Sequence, residues 1–517
     1  METTSEIVRR SSRRSHFGRA ALVGLCAGLL AVGFRRALAL AEAGRGRALG
    51  ILHGHPGWGW AVLPAFGLLA GGLAGWLTTR FAPEAAGSGI PHLKGVLLHV
   101  RKLDWRKLIP VKFVGGVFGI GAGLSLGREG PTVQMGAAVS QALAGFLRTP
   151  ESDLPQLLSA GAGAGLAAAF NAPLAGLLFV IEELHRELSS RTAAGALVAA
   201  VCATVVTQWL AGDTPSFEAH GLMAMPLAAL PLALCVGIVG GAGGVLFNKS
   251  LITAQRIGQR VERVPRWLQP GIVGMFAGLL AWWLPGALGG GQVVGERLLG
   301  GTMTAGVATL AVLFIVKFLL TALSYGSGAP GGIFAPMLVL GAVAGAMFAK
   351  VAGTLWPGHA PHAQVLAVLG MAAFFTGSVR APLTGIVLIS EMTGGYELLF
   401  PICIASLAAY LVAEGLRDHP IYDALLEADL ERTGHGSVRV KPRTVYIGVQ
   451  IGSAVANQRV AAAGLPRGCL LIGIERGGVT LLPNANSVLL PGDHLSILTP
   501  GDQPEAPIQI VSLCTGL

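Results

Sequence analysis

Charged side chains are scarce in this sequence. Lys, Arg, Asp and Glu together make up 12% of the 517 residues, about half of the fraction typical of soluble globular proteins. Hydrophobic residues make up 52%, so the chain also lacks the composition of a disordered protein. The 76 glycines follow no three-residue period, which excludes a collagen-like chain. The remaining class is a polytopic membrane protein, with room for roughly ten or more crossings of about 20 residues.

The spacings that mark metal sites and disulfide frameworks are also lacking. No His-x-x-x-His occurs, and the six cysteines show no paired spacing, so we expect neither a metal nor a cofactor. The C-terminal part has no Gly-x-Gly-x-x-Gly nucleotide signature. We interpret the cysteines as small hydrophobic residues: Cys26, Cys202, Cys235, Cys403, Cys469 and Cys514.

Part of the net charge of +10 comes from basic clusters beside apolar segments. One cluster lies within residues 9–19 and another within 101–107. Such clusters are typical of cytoplasmic loops, and no nucleic-acid-binding motif accompanies them. We therefore expect no nucleic-acid partner, and we place the basic N-terminus, residues 1–16, in the cytoplasm. The first apolar segment lacks a small-residue cleavage site and is predicted to be a retained helix.

Apolar segments occupy the chain from about residue 19 to residue 416 and then stop. Some stretches, such as 110–126 and 131–147, are short and interrupted by glycine, proline or charge. Interrupted helices of this kind are typical of transporters and channels, in which helix ends lie inside the membrane. The longest apolar segments are 20–42, 58–80, 156–181, 191–211, 226–248, 268–289, 302–323, 333–354, 363–378 and 399–416.

Two sequence blocks recur in the same order. Ala-Pro-Leu-Ala-Gly at 172–176 returns as Ala-Pro-Leu-Thr-Gly at 381–385, an offset of 209 (382 − 173), and a glutamate follows each proline by nine residues. Gly-x-x-x-Pro at 127–131 returns at 332–336, an offset of 205 (336 − 131). We therefore predict two related halves, about 20–212 and 226–417, within a membrane domain at 17–426.

The composition changes after the membrane domain. Residues 427–443 carry alternating charges and are predicted to be a linker. Residues 444–517 contain short β-prone runs separated by Gly and Pro turns, which indicates a small, soluble, strand-rich domain.

Three glycine-rich segments each place a proline three or four residues after a glycine. They are Gly87-Ser-Gly-Ile-Pro91, Gly127-Arg-Glu-Gly-Pro131 and Gly332-Ile-Phe-Ala-Pro336. Proline suits the first turn of a helix, and glycine lets backbone N–H groups approach a ligand. Because helix N-termini attract anions, three of them directed at one point predict an anion path. Each motif alone also fits a kink packed for close helix contact.

Two acidic positions complete this interpretation. Glu129 lies at an expected intramembrane helix N-terminus, where its carboxylate competes with an anion and its protonated form does not. The alternative role for Glu129 is an ion pair with Arg128 or Lys112. Glu182 and Glu183 end an apolar run, and one of them is a candidate second proton site. The alternative is that both form salt bridges at the surface.

The order and content of these motifs resemble the CLC family of chloride channels and proton/chloride antiporters, over about residues 17–426. The segments that carry the likeness are GSGIPHLKG (87–95), GREGPTVQMG (127–136), GLAAAFNAPLAGLLFVIEEL (165–184), GSGAPGGIFAPML (326–338) and RAPLTGIVLISEMTG (380–394). The resemblance implies an all-α, inverted-repeat membrane domain with broken helices, and a homodimer with one pore per subunit. It also implies an integral protein of a bacterial inner membrane with both termini cytoplasmic.

The resemblance assigns roles to individual residues. Glu129 matches the external gating glutamate and Glu183 the internal proton-transfer glutamate. Chloride would be bound by the Ser88 hydroxyl, the Tyr422 phenol and the backbone N–H groups of Ile333 and Phe334. Supporting positions are Gly87, Gly89, Pro91, Lys112, Gly127, Arg128, Gly130, Pro131, Gly332 and Pro336.

The function predicted from this likeness is exchange of chloride for protons, because an acid at position 183 is typical of the antiporter branch. A passive anion channel of the same fold is the alternative. An intramembrane hydrolase using Ser88 or Ser327 is not supported, because the histidines nearly all flank apolar runs or lie in loops. Residues 444–500 resemble the C-terminal subdomain of the RCK/TrkA module of potassium transport, which names no ligand. Regulation by a small ligand and a purely assembling role both stay open for it.

Overall fold

The structure is a computed structural model of the whole chain. It describes residues 4–55, 57–185, 190–213, 217, 224–356, 362–432, 443–450, 452–476, 479–500 and 506–515. The chain divides into two compact units, Met1–Leu426 and Glu427–Leu517.

The first unit is helical. Seven helices of the described part are long and apolar enough to cross a membrane, and shorter helices lie between them. The helices, in chain order, are α1 Thr4–His53, α2 Gly59–Phe81, α3 Ile90–Leu97, α4 Trp105–Gly121, α5 Glu129–Phe146, α6 Leu154–Phe170, α7 Pro173–Phe179, α8 Ser190–Ala211, α9 Leu230–Arg260, α10 Gln269–Trp283, α11 Gln292–Leu299, α12 Val307–Gly326, α13 Phe334–Leu355, α14 Ala363–Val379, α15 Pro382–Thr393, α16 Leu399–Gly415 and α17 Ile421–Arg432.

One predicted segment is broken where the sequence analysis treated it as continuous. Residues 156–181 form α6 and α7, and Asn171 ends α6 in the left-handed region with φ of 58°. Pro173 then starts α7, because proline fits the first helical turn. A π-helical turn at Val180–His185 follows α7. The second half repeats the break: Arg380 ends α14 with φ of 66° and Pro382 starts α15.

Helices in this unit approach one another closely through small residues. α5 packs on α6 where a β-carbon at Gly136 or Gly161 would meet the backbone of the other helix. α13 packs on α14 in the same way at Gly341 and Gly370. These are repeat-equivalent pairs, with offsets of 205 (341 − 136) and 209 (370 − 161). In lipid no hydrophobic force drives helices together, so van der Waals packing has to hold them. Small residues at the contact allow the close approach that this packing needs.

Reciprocal contacts relate the two halves by a pseudo-two-fold axis. Glu182 accepts hydrogen bonds from the backbone of Leu383 and Thr384 at the start of α15, at 3.1 and 2.7 Å. Glu391, its repeat equivalent, accepts from Leu174 and Ala175 at the start of α7, at 3.1 and 2.8 Å. Two-fold symmetry is the relation in which each copy makes the same contact to the other.

The second unit contains a four-stranded antiparallel sheet and a helix. Strands β1 Arg443–Gly448, β2 Leu470–Arg476, β3 Val479–Leu481 and β4 His494–Thr499 lie in the order β1-β4-β2-β3, and α18 spans Ala506–Thr515. Its own core contains Val455, Ile474, Leu489, Ile497 and Ile510. Alternating burial along β4 matches a sheet with one covered face.

The predicted linker at 427–443 begins as a helix. α17 continues to Arg432, because its sequence from Ile421 contains strong helix formers and no glycine or proline. Residues 433–442 of the predicted linker lie outside the described part of the chain.

Candidate functional site

The three predicted glycine-proline breaks meet in the first unit. Gly127 N–H donates to the Gly332 carbonyl at 2.6 Å, and Gly332 N–H donates back to the Gly127 carbonyl at 2.7 Å. Gly331 N–H donates to the Gly87 carbonyl at 3.0 Å. These bonds tie the loops that precede α3, α5 and α13 into one cluster.

The helix starts approach one another too closely for side chains. A β-carbon at Gly130 would lie 2.7 Å from the Ser88 carbonyl oxygen and 3.0 Å from Gly332 Cα. Gly89 precedes α3 with φ of +83°, a conformation that L-residues with a side chain rarely adopt. The glycines are therefore required by this close convergence of three helix N-termini. Pro91, Pro131 and Pro336 lie in the first turns of the same three helices.

Glu129 is the first residue of α5 and is 2% exposed. Its Oε1 lies 4.0 Å from Arg128 Nε. Its carboxylate faces the backbone N–H of Ala335, in the first turn of α13, yet Oε2 has no partner of normal hydrogen-bond geometry among the described residues. A buried carboxylate oxygen thus sits at a helix N-terminus, in the place that suits an anion.

A cavity of about 190 Å³ opens beside Glu129. Arg35 and Glu42 of α1 line it together with Arg128 and the Glu129 carboxylate. The cavity therefore brings two guanidinium groups and two carboxylates together beside the start of α5.

Lys112, one of the two alternative partners predicted for Glu129, does not pair with it. Lys112 is fully buried on α4, and its Nζ donates to the carbonyls of Ala85 and Gly87 at 2.9 and 2.7 Å. It therefore holds the loop that carries Ser88.

The proposed chloride ligands are buried in the same unit. Ser88 is 0% exposed, and its Oγ accepts from Ile90 N–H at 3.4 Å, which leaves the hydroxyl hydrogen for another acceptor. Tyr422 of α17 is also 0% exposed, its hydroxyl has no partner among the described residues, and its ring stacks on Phe334 at 6.2 Å. Ile333 and Phe334 form the cap and first residue of α13. The Tyr422 phenol is within electrostatic range of both Glu129 and Glu183.

Glu183 and Glu182, neighbours in sequence, have different surroundings. Glu183 is 1% exposed, and its Oε1 accepts a hydrogen bond from Lys94 Nζ at 2.8 Å. Lys94 also forms an ion pair with Asp423. Glu182 caps α15. Of the two candidates, Glu183 is the one inside the protein and Glu182 is a helix cap.

Sequence reasoning missed Lys94 and Asp423, as well as a fourth helix start. The signal for the first two was a charged side chain within otherwise apolar motifs, GSGIPHLKG and HPIYDALL. Gly291 precedes α11 with φ of +81° and is the repeat equivalent of Gly89, with an offset of 202 (291 − 89). No proline follows Gly291 in the first turn of α11, so the motif search did not find it.

Comparison with known proteins gives two family matches. A family model described as voltage gated chloride channel matches residues 66–414, and one described as TrkA-C domain matches residues 445–505. The H(+)/Cl(-) exchange transporter ClcA of Cronobacter sakazakii is 40% identical over 421 residues, 80% of this chain and 89% of that protein. The protein of the same name from Yersinia pestis bv. Antiqua (strain Angola) is 39% identical over 421 residues, 80% of this chain and 87% of that protein.

A solved structure is also similar. The crystal structure of a slow cyanobacterial Cl⁻/H⁺ antiporter aligns with a TM-score of 0.77 at 34% identity, covering 81% of this chain and 99% of that one. The likenesses confirm the predicted fold class, an all-α polytopic membrane domain followed by a small strand-rich domain. They also confirm the family resemblances read from the motifs.

Proposed function

Because the chain belongs to the voltage-gated chloride channel, or CLC, family, we propose that it is a proton-coupled chloride antiporter. Relatives over most of its length are named H(+)/Cl(-) exchange transporters. The observation that carries the proposal is the Glu129 carboxylate, buried at the N-terminus of α13 with one oxygen unpaired among the described residues.

Chloride and the Glu129 carboxylate compete for one position in this mechanism. An ionised carboxylate beside the Ala335 N–H occupies the place of the anion. When Glu129 takes up a proton, its attraction to the helix terminus falls, and chloride replaces it. Peptide dipoles compensate the charge of the ion without a formal positive charge, so the ion is released again.

The inner half of the path contains Ser88, Phe334 and Tyr422. We propose that chloride is bound there by the Ser88 and Tyr422 hydroxyls and by the backbone N–H groups of Ile333 and Phe334. Hydroxyl and amide donors suit an anion because each presents a hydrogen. Glu183 is the second proton carrier, because its carboxylate is buried and the Tyr422 phenol lies within electrostatic range of it and of Glu129.

The assembly and orientation proposed follow the family and the charge pattern. We propose a homodimer in a bacterial inner membrane, with one pore in each subunit and both termini in the cytoplasm. The TrkA-C unit is proposed to be a regulatory domain whose ligand the sequence does not name. Transport, and not catalysis, is the proposed activity.

Glu129→Gln tests the proposal in proteoliposomes with simultaneous chloride and pH recording. The variant lacks the titratable carboxylate, so we expect chloride flux to continue and proton movement driven by chloride to disappear. Glu151→Gln, which removes an exposed acid outside the site, is the matched control and keeps coupled flux. Proton uptake that is unchanged in Glu129→Gln contradicts the mechanism.

The same recording on the wild-type chain separates the antiporter from the passive channel. An antiporter drives protons uphill when given a chloride gradient. Chloride flux with no proton movement in the wild type supports the channel instead.

A further inference from the structure

Lys94 lies between two carboxylates from different elements. Its Nζ donates a hydrogen bond at 2.8 Å to Oε1 of Glu183, which lies in the π-helical turn after α7. The same Nζ forms an ion pair with Asp423 Oδ1 of α17. The side chains of Lys94, Glu183 and Asp423 are 8%, 2% and 21% exposed. The outermost member of this cluster is therefore Asp423, and the innermost is Glu183.

A buried lysine paired with Glu183 alone would oppose proton uptake. An ammonium within hydrogen-bond distance favours the carboxylate over the carboxylic acid. If Glu183 accepted a proton, Lys94 would remain charged, buried and without a partner, which is costly. A proton carrier must change its protonation state in each cycle, so a lone Lys94–Glu183 pair would be a poor carrier.

The second carboxylate removes this obstacle. We propose that Asp423 is the counter-ion of Lys94 and that it frees Glu183 to take up and release its proton; this inference rests on the proposed antiport. With all three groups ionised the cluster carries a charge of −1. One proton from water on the cytoplasmic side forms an O–H bond on Glu183, the Lys94–Glu183 hydrogen bond breaks, and a neutral Lys94–Asp423 pair remains. Release of the proton reverses these steps.

Several other polar groups near Glu183 have contacts of their own among the described residues. Glu182 is engaged at the start of α15, and His185 Nε2 lies 2.7 Å from Ser159 Oγ on α6. The Tyr422 phenol is within electrostatic range and is neutral at physiological pH. Arg101, a further cation, packs its side chain beside Gly95, the residue after Lys94.

Asp423→Asn is the first test, in proteoliposomes with paired chloride and proton recording between pH 4 and 8. Asn keeps the shape of the side chain and removes its charge, so Lys94 binds Glu183 alone. We expect proton uptake at pH 7 to fall about tenfold and its half-maximum to move about one pH unit lower. Glu427→Gln, an exposed acid one turn further along α17, keeps the wild-type profile. A wild-type profile in Asp423→Asn overturns the inference.

A double variant separates a counter-ion from a merely structural residue. Lys94→Met with Asp423→Asn removes both the ammonium and its partner, so Glu183 is no longer held as a carboxylate. We expect proton uptake to return to within about threefold of the wild type, since the removed interaction was worth about tenfold. Failure to recover in a double variant that still conducts chloride and elutes as the wild type overturns the proposal.

Glu183→Gln distinguishes this inference from the antiport proposal. Loss of proton movement in Glu183→Gln, together with unchanged movement in Asp423→Asn, removes only the counter-ion role. Unchanged proton movement in Glu183→Gln removes the proposed proton path and the counter-ion role with it.

Discussion

At the scale of single residues, two buried lysines hold equivalent loops in the two halves. Lys112 Nζ donates to Ala85 and Gly87, and Lys317 Nζ donates to Ala287 and Gly289 at 3.3 and 3.0 Å. The lysines are 205 residues apart (317 − 112), and both are 0% exposed. The loop held by Lys112 contains Ser88, whereas the loop held by Lys317 leads to α11.

We expect Lys112→Met and Lys317→Met both to lower the stability of the protein and to have different effects on chloride binding. Each removes a buried lysine's hydrogen bonds to two carbonyls, and Lys317→Met also removes the bond to Ser125 Oγ at 3.2 Å. We expect a loss of about 3 kcal/mol, measured as a lower midpoint of thermal unfolding in detergent. Only Lys112→Met loosens the Ser88 loop, so only it weakens chloride binding, measured by calorimetry. Equal chloride affinity in the two variants contradicts this assignment.

A second residue-scale prediction concerns the acid stability of the C-terminal unit. Asp493 is 1% exposed and accepts from Arg476 Nε and from Arg476 Nη2, both at 2.7 Å. The hydrogen bonds from Arg476, followed by the one from the Leu490 N–H, hold the pKa of the Asp493 carboxyl below its usual value of 3.8. A carboxyl with a lowered folded pKa stabilises the fold above its unfolded pKa and loses that contribution as the pH falls through the folded value.

Asp493→Asn therefore lowers the free energy of unfolding of this unit at pH 7, by a small amount because Arg476 is exposed and its charge is screened. The difference between wild type and variant shrinks below about pH 4. Proteolysis of the full chain in urea, at pH values from 7 to 3, measures both. A difference that stays constant over this range contradicts the ion-pair explanation.

At the scale of elements, each half caps a helix of the other half: Glu182 caps α15 and Glu391 caps α7. Glu182→Ala and Glu391→Ala each remove two hydrogen bonds to backbone N–H groups at a helix start, and we expect each to cost about 1–2 kcal/mol. Thermal unfolding in detergent measures this loss. Because the Glu182 carboxylate is engaged as a cap, we expect Glu182→Ala to keep the wild-type ratio of chloride to proton flux. An altered ratio would show that Glu182 takes part in proton movement.

Helix starts that carry a proline could be predicted from the sequence, whereas the contacts between the helices could not. Spacing alone showed that Glu182 and Glu391 are repeat equivalents. That each glutamate caps a helix of the other half depends on a symmetry that exists only in three dimensions. The break at Asn171 was missed because apolar residues continue on both sides of it. α11 was missed because Gly291 is followed by Gln292 and not by proline. Lys94 and Asp423 are 329 residues apart (423 − 94), so no local pattern could pair them.

At the scale of the whole molecule, the proposed anion site lies at the pseudo-two-fold axis. Gly127 and Gly332 are repeat equivalents that bond to each other in both directions, so the axis passes between them. Glu129 and Ala335 flank this pair on the two halves. The halves differ at the proposed gate. The first half has the carboxylate of residue 129, and the equivalent position in the second half is Phe334 (129 + 205), which lies against Tyr422.

All residues that we propose to act in transport lie within the first unit. Ser88, Glu129, Glu183, Phe334 and Tyr422 precede residue 427, where the second unit begins. A chain ending at Arg432 keeps the whole of α17, so we expect it to retain proton-coupled chloride flux within about threefold of the full chain. The measurement is paired recording at matched protein density, with elution volume checked for both chains. A truncated protein that elutes normally but moves neither ion would show that the C-terminal unit is required for transport itself, because the assigned carboxylates and hydroxyls are all still present.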